Sequence, residues 1–95
     1  MTAYAIVRVT VTDPEQYKAY MALSPIAVEA YGGRFIARGG ATEVLEGEAE
    51  DRRIVLVEFP SMEAARTFYD SPEYREARAA REGAAEMHML IVEGA

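Results

Sequence analysis

The sequence predicts an α+β fold of the ferredoxin-like kind, in which an antiparallel sheet carries its helices on one face. The main observation is the order of the predicted elements, β-α-β-β-α-β, which is the split βαβ motif. A second observation is that 51% of the 95 residues are hydrophobic, a large share for a small chain to bury alone. We expect one domain over residues 1–95, because no linker, repeat or low-complexity tract divides the chain.

Four stretches rich in apolar and β-branched residues predict the strands of the sheet. They cover residues 4–11, 33–38, 53–59 and 87–93. Gly39 and Gly40 predict a bend, after which residues 42–45 are expected to continue the second strand, and residues 46–51 predict an acidic loop. Right-handed crossovers would place the first and third main strands at the centre of the sheet.

The first helix is marked by its capping residues. Asp13 precedes Pro14, which suits the first helical position, and Gln16 is expected to complete a capping box with Asp13. Pro25 lies inside this helix and removes one intrahelical hydrogen bond, so we expect a kink or a break there. Gly32 is expected to end the helix with a left-handed cap.

The second helical region begins after Ser61, which is a capping residue. It is expected to restart in a new direction at Ser71, because a capping residue there precedes a proline. Helical spacing places Tyr74 and Arg81 on one face of this last segment, toward the sheet.

Charge and composition exclude several classes of function. The net charge is −6 and Lys18 is the only lysine, so nucleic acid and anionic membrane surfaces are not expected partners. The chain has no cysteine and one histidine, which argues against a zinc site or an iron–sulfur cluster. We expect no cofactor, because no phosphate-binding glycine motif is present. The N-terminus does not resemble a signal peptide, so the expected location is the cytoplasm.

The apolar residues on both faces of the strands predict a homodimer. The helices of this fold cover only one face of the sheet, whereas residues 4–11 and 53–59 carry apolar side chains on both. A second copy of the sheet can cover the remaining face. An obligate interface of this kind would bury roughly 2,000 Å² or more.

A ligand pocket between the helices and the sheet would take its polar groups from a few inward-facing residues. The candidate ligand-binding residues are Arg38, Arg81, His88, Tyr17 and Tyr74. Arginines stay charged when they are desolvated, and an imidazole titrates near neutral pH. The set therefore predicts a small organic ligand that is anionic or enolisable, and tyrosines suit one that is also aromatic.

Each candidate also has a purely structural interpretation. Arg38 and Arg53 are more simply explained by ion pairs with Glu43, Glu46 or Glu58. Arg81 can lay its stem over the core and keep its charge in water, or point between helix and sheet. His88 can be a half-buried strand histidine with one hydrogen-bond partner, and the tyrosines can be edges of the core.

Five segments resemble a known family. They are GGRFIARGG at residues 32–40, EVLEG at 43–47, VEFPS at 57–61, FYDSPEY at 68–74 and VEG at 92–94. On these the chain resembles the bacterial family called domain of unknown function 1330, over essentially its whole length. That family is similar to the dimeric α+β barrel superfamily, which includes cofactor-independent monooxygenases, muconolactone isomerases, haem-dependent peroxidases and ligand-sensing domains. The resemblance implies the fold and the dimer, and it supplies no catalytic motif.

Two functions stay open from the sequence. The first is a homodimeric domain that binds or transforms a small organic molecule without a cofactor, with proton transfer and anion stabilisation by tyrosine, arginine and His88. The second is a non-enzymatic structural or regulatory dimer whose cavity is filled by its own side chains. Cavity volume distinguishes them, because ligand pockets usually enclose about 300 Å³ or more.

Overall fold

The computed structural model describes residues 1–95 and contains four strands and three helices. They are β1 (Ala3–Val11), α1 (Pro14–Ala30), β2 (Arg34–Arg38), β3 (Arg53–Phe59), α2 (Met62–Asp70), α3 (Pro72–Ala80) and β4 (Ala85–Glu93). The order β-α-β-β-α-α-β confirms the ferredoxin-like prediction, with the second helical region divided in two at Ser71. No helix here combines the length and the apolar character that crossing a bilayer requires.

The sheet has the strand order β2-β3-β1-β4, and every neighbouring pair is antiparallel. The first and third strands are central, as predicted. β1 pairs with β4 along its whole length, from Ala3 opposite Glu93 to Val11 opposite Ala85. Both β2 and β4 are therefore edge strands.

The core lies between the sheet and the helices. Alternate residues of the central strands face it and are almost fully buried, namely Ala3, Ala5, Val7 and Val9 of β1 and Val55, Val57 and Phe59 of β3. Phe68 and Tyr74 cover them from the helical side. The other face of the same strands has no helix over it, and we call it the open face.

The start of α1 differs from the predicted capping box. The Asp13 side chain accepts a hydrogen bond from the Gln16 backbone N–H at 3.2 Å, as expected of a cap. The Gln16 side-chain amide, however, donates to the carbonyls of Ala80 and Glu82, at 3.2 and 2.7 Å. Gln16 therefore ties the start of α1 to the end of α3, where carbonyl groups lack helical partners.

The expected break at Pro25 is wrong, because α1 continues through it as one helix of 17 residues. Pro25 has no N–H to donate to the carbonyl four residues earlier, which is that of Met21. The Arg38 guanidinium supplies the missing donor, with Nη2 2.9 Å from the Met21 carbonyl oxygen. A side chain of β2 thus satisfies the group that the proline leaves unpaired.

The predicted continuation of the second strand at residues 42–45 is also wrong. The β2–β3 pairing ends with Arg38 opposite Val55, and Gly39 then takes a positive φ of 73° that turns the chain away. The following residues have no regular structure, and Leu45 is 86% exposed. The acidic loop returns to the open face, where Glu50 forms an ion pair with Arg8 at 3.2 Å.

Candidate functional site

Three arginines converge on the helical side of the sheet at one end. Arg38 is the last residue of β2, Arg53 is the first of β3, and Arg81 caps the end of α3. Together with the nearby Tyr17 and Tyr20 they form what we call the arginine–tyrosine cluster. None of the three arginines has a carboxylate partner, although the chain carries 16 acidic residues.

A β-bulge directs Arg38 toward the helices. Phe35 lies opposite Val57, but Ala37 lies opposite Leu56, so the ladder shifts by one residue between them. Because strand side chains alternate between faces, this shift moves Arg38 to the helical face. Its guanidinium stacks 4.5 Å from the centre of the Phe35 ring.

Arg53 depends on a glycine for its position. Its guanidinium lies against Gly39, where an added Cβ would collide with it. Arg53 pairs in register with Val9, a residue of the helical face. Its Nε is buried and has no acceptor within the protein. An arginine nitrogen in that state is available to an acceptor on a ligand.

Arg81 points between the helix and the sheet. Its guanidinium carbon lies 5.2 Å from the centre of the Tyr20 ring, a cation–π distance. Its Nε is also buried without an acceptor within the protein. This position fits the second of its two interpretations, in which Arg81 points between the helix and the sheet.

The phenols of the cluster are buried, and that of Tyr20 is hydrogen-bonded. The hydroxyl oxygens of Tyr20 and Tyr74 lie 2.6 Å apart in the core, and the Tyr17 and Tyr20 rings are 5.1 Å apart. Burial raises the pKa of Tyr17 above its ordinary 10.0, and Arg53 is the largest influence that opposes the rise. Burial, together with Tyr74, also raises the pKa of Tyr20. Both phenols are therefore protonated at neutral pH and act as hydrogen-bond donors rather than as bases.

His88 lies outside this cluster, although it lines the space between α2 and β4 that Arg81 also lines. Its neighbours Met87 and Met89 face the core, so alternation places His88 on the open face. There it lies opposite Arg8 in the β1–β4 ladder and is exposed. Of the five predicted site residues, the structure brings Tyr17, Tyr74, Arg38 and Arg81 together.

The ion pairs expected for Arg38 and Arg53 are absent. Glu58 pairs with Arg34 instead, at 3.0 Å, and Glu43 and Glu46 lie exposed in the loop. The five predicted site residues do not include Arg53 and Tyr20. For Arg53 a signal was present, because it alternates with Val55 and Val57, which face the helices.

Two spaces lined by core residues adjoin the cluster. The inner chamber lies between α1 and the sheet, has a volume of about 30 Å³, and is lined by Tyr17, Arg38 and Arg53 among others. The outer cleft opens between α2 and β4, has a volume of about 570 Å³, and includes Arg81 in its wall. The chamber has room for a water molecule or a small polar group, whereas the cleft is as large as ligand pockets usually are.

No group of three or more histidine, cysteine, aspartate or glutamate side chains is placed to hold a metal ion. The polar groups that the cluster does offer are guanidinium and phenol donors, which bind oxyanions rather than cations.

The fold and the cluster define a ferredoxin-like α+β protein with a cationic, phenol-lined interior. The chain belongs to the family described as domain of unknown function DUF1330, whose model matches residues 2–95. This confirms the family resemblance of the five sequence segments. No curated protein matches the chain in sequence.

Solved structures similar to this chain share its fold. A protein of unknown function from Rhodopseudomonas palustris superposes with a TM-score of 0.76 at 24% identity, covering 99% of this chain and 82% of its own. A dimeric ferredoxin-like protein of unknown function from Jannaschia sp. CCS1 gives 0.74 at 13% identity, covering 99% and 100%. SnoaB, a cofactor-independent oxygenase from Streptomyces nogalater, gives 0.69 at 14% identity, covering 99% and 93%.

Proposed function

We propose that this protein is a homodimer that binds a small organic anion at the arginine–tyrosine cluster. The observation that carries the proposal is the state of Arg53 and Arg81. Each has a buried Nε without an acceptor in the protein, and neither is neutralised by a carboxylate in a chain of net charge −6. A buried guanidinium N–H without an acceptor is costly to keep, and a bound carboxylate or enolate would supply the missing acceptors and an opposite charge.

The ligand that suits this cluster is an organic acid with an aromatic or apolar body. The guanidinium groups keep their charge when water is excluded, and they can hold a carboxylate through two parallel hydrogen bonds. Tyr17 adds a protonated hydroxyl as a further donor. The aromatic rings of Phe68 and Tyr69 in the cleft wall suit the body of such a molecule.

The cluster also suits cofactor-independent chemistry on that ligand. Donors that bind a carboxylate stabilise an enolate as well, and the proton that leaves the carbon next to the carbonyl passes to Asp70 or His88 in the cleft wall, without a metal or an organic cofactor. The fold accommodates reactions of this kind, since SnoaB is described as a cofactor-independent oxygenase. We propose in addition that the protein is an enzyme and that it acts in the cytoplasm.

The open face supports the dimer. It carries Tyr4, Ile6, Ile54, Leu56, Leu90 and Val92, and Leu90 and Val92 are 40% and 43% exposed. A second copy of the sheet would cover this apolar surface. Two proteins of similar fold are described as dimeric.

The second candidate is a non-enzymatic dimer whose interior is filled by its own side chains. It is favoured by the small volume of the inner chamber, about 30 Å³, which leaves no space for a whole ligand in the core.

Thermal shift with a panel of aromatic and aliphatic carboxylates and 2-oxo acids tests the proposal. The variants are Arg53→Met and Arg81→Met, and the matched control is Arg75→Met, which changes an exposed arginine of α3. We expect the acids that bind to raise the melting temperature of the wild type and of Arg75→Met. They should change the melting temperatures of Arg53→Met and Arg81→Met only slightly. Equal shifts in all four proteins, or no shift with any acid, would favour the non-enzymatic dimer.

A further inference from the structure

The inner chamber and the outer cleft have part of their walls in common. Ala5, Phe68, Met87 and Met89 line both spaces. These four residues, which we call the partition, therefore separate the chamber beside the arginine–tyrosine cluster from the solvent-open cleft.

Two side chains of the partition, those of Met87 and Met89, can move aside. Methionine is unbranched, rotates about three bonds and adapts to irregular spaces. Met87 and Met89 belong to β4, an edge strand, and both are only half-buried. Ala5 contributes a single methyl group. Rotation of the two methionines would join the two spaces without any change in the backbone.

Both spaces are mostly apolar, with 13 hydrophobic residues among the 16 that line the chamber and nine among the 13 that line the cleft. The chamber is distinguished by Arg38, Arg53 and Tyr17 in its wall, all of which offer hydrogen-bond donors. Arg81 lies in the cleft wall with its guanidinium over Tyr20, and so it connects the two regions.

We propose that the chamber and the cleft are the two halves of one site, which selects a flat apolar body carrying a single anionic head. The head passes Met87 and Met89 of the partition and binds the arginines. The body stays in the cleft beside Phe68. This inference rests on the proposed function and adds its selectivity: neither a small free anion nor an uncharged apolar molecule fills both halves.

Three probes separate the halves, and calorimetry measures their binding. Acetate represents the head alone, 2-naphthylmethanol the body alone, and 2-naphthoate both. We expect 2-naphthoate to bind at least roughly 100-fold more tightly than either of the others, because it gains the charge contacts and the apolar burial together. Arg53→Met should remove this advantage over 2-naphthylmethanol.

Filling the cleft tests the other half. Ile91 lies in the cleft wall, so Ile91→Trp should weaken 2-naphthoate by about tenfold or more and leave acetate unchanged. The matched control is Ile26→Trp, at a residue of α1 that is 60% exposed. A second variant, Met89→Leu, changes only the partition and should slow 2-naphthoate association. It also keeps the test decisive if the tryptophan variant folds poorly.

The outcomes distinguish this inference from the proposed function. Equal affinities for acetate and 2-naphthoate, both lost in Arg53→Met, would overturn the two-part site and leave the anion site standing. Equal affinities for 2-naphthoate and 2-naphthylmethanol, both unchanged in Arg53→Met, would overturn both. Failure of all three probes to bind would overturn the two-part site as well.

Discussion

The same strands form both faces of the sheet, but the helices of the chain cover only one of them. On the helical face Val7 and Val57 are 4% and 5% exposed. On the open face their neighbours Ile6 and Leu56, which are equally apolar, remain half-exposed. The helices complete the first face within one chain. The second is left as an apolar surface for another copy of the sheet.

The arginines follow the same division. On the open face Arg8 pairs with Glu50 at 3.2 Å and Arg34 with Glu58 at 3.0 Å. On the helical face the arginines of the cluster have no carboxylate. A surface with its charges already paired suits burial against a second protein chain, because each desolvated ion keeps its partner. Unpaired charges in a cavity suit an anionic ligand.

The largest expected effect is dissociation of the dimer by a charge placed on the open face. Leu56→Lys places a charge at its centre, opposite Ile6 in the ladder. A symmetric dimer contains the change twice, so losing roughly 1.5–3 kcal/mol of leucine burial per protomer should raise Kd at least roughly 100-fold. Light scattering after size exclusion at micromolar concentration should show a folded monomer.

Leu45→Lys is the matched control for that variant. Leu45 lies in the loop after β2 and is 86% exposed, so the same substitution there should leave the oligomeric state unchanged. A Leu56→Lys protein that is folded and still dimeric would contradict the assignment of the open face as the interface.

A smaller effect is expected on the helical face, where Arg38 satisfies the carbonyl that Pro25 leaves free. Arg38→Met should cost about 1 kcal/mol of unfolding free energy, because it removes one hydrogen bond to a charged donor. In a Pro25→Ala background the helix supplies its own N–H to Met21. There the same substitution should cost almost nothing.

Urea unfolding of the four proteins in this double-mutant cycle measures the coupling. Equal costs of Arg38→Met in both backgrounds would mean that the hydrogen bond to Met21 contributes nothing. Arg38 would then be free to act as a ligand anchor alone.

Much of the fold follows from local patterns in the sequence. Alternation in β1 and β3 predicts the buried face, and Asp13, Ser61 and Ser71 predict where the helices begin. Each of these signals is local, since a cap or an alternating strand depends on neighbouring residues. The partner of Gln16 and the continuity of α1 at Pro25 depend on residues distant in sequence, and no local pattern indicates them.

The candidate site was harder to predict for the same reason. The bulge between Phe35 and Ala37 reverses the face of Arg38, and no glycine or proline in the strand marks it. Alternation with Val55 and Val57 places Arg53 on the helical face, but no local pattern indicates that Gly39 lies against its guanidinium. For His88, alternation with Met87 and Met89 was enough to indicate the open face.

The smallest expected effect concerns the charges at the edge of the open face. The hydrogen bond from Arg52 holds the pKa of Glu50 below its ordinary 4.5, and Arg8 adds to this. A carboxylate whose pKa is lower in the folded state stabilises the protein fully above its unfolded pKa. That stabilisation is lost as the pH falls through the folded value.

Glu50→Gln should therefore lower the melting temperature by a small amount at neutral pH, where Glu50 is ionised and paired with Arg52 at 2.9 Å. The difference from the wild type should shrink as the pH falls below 4.5. Glu48→Gln is the control, since Glu48 lies in the same loop and makes no ion pair. Both variants remove one negative charge, so the general effect of net charge cancels between them. If the two variants have the same melting temperature at neutral pH, or if their melting temperatures diverge further in acid, the Arg8–Glu50–Arg52 contacts do not stabilise this edge of the sheet.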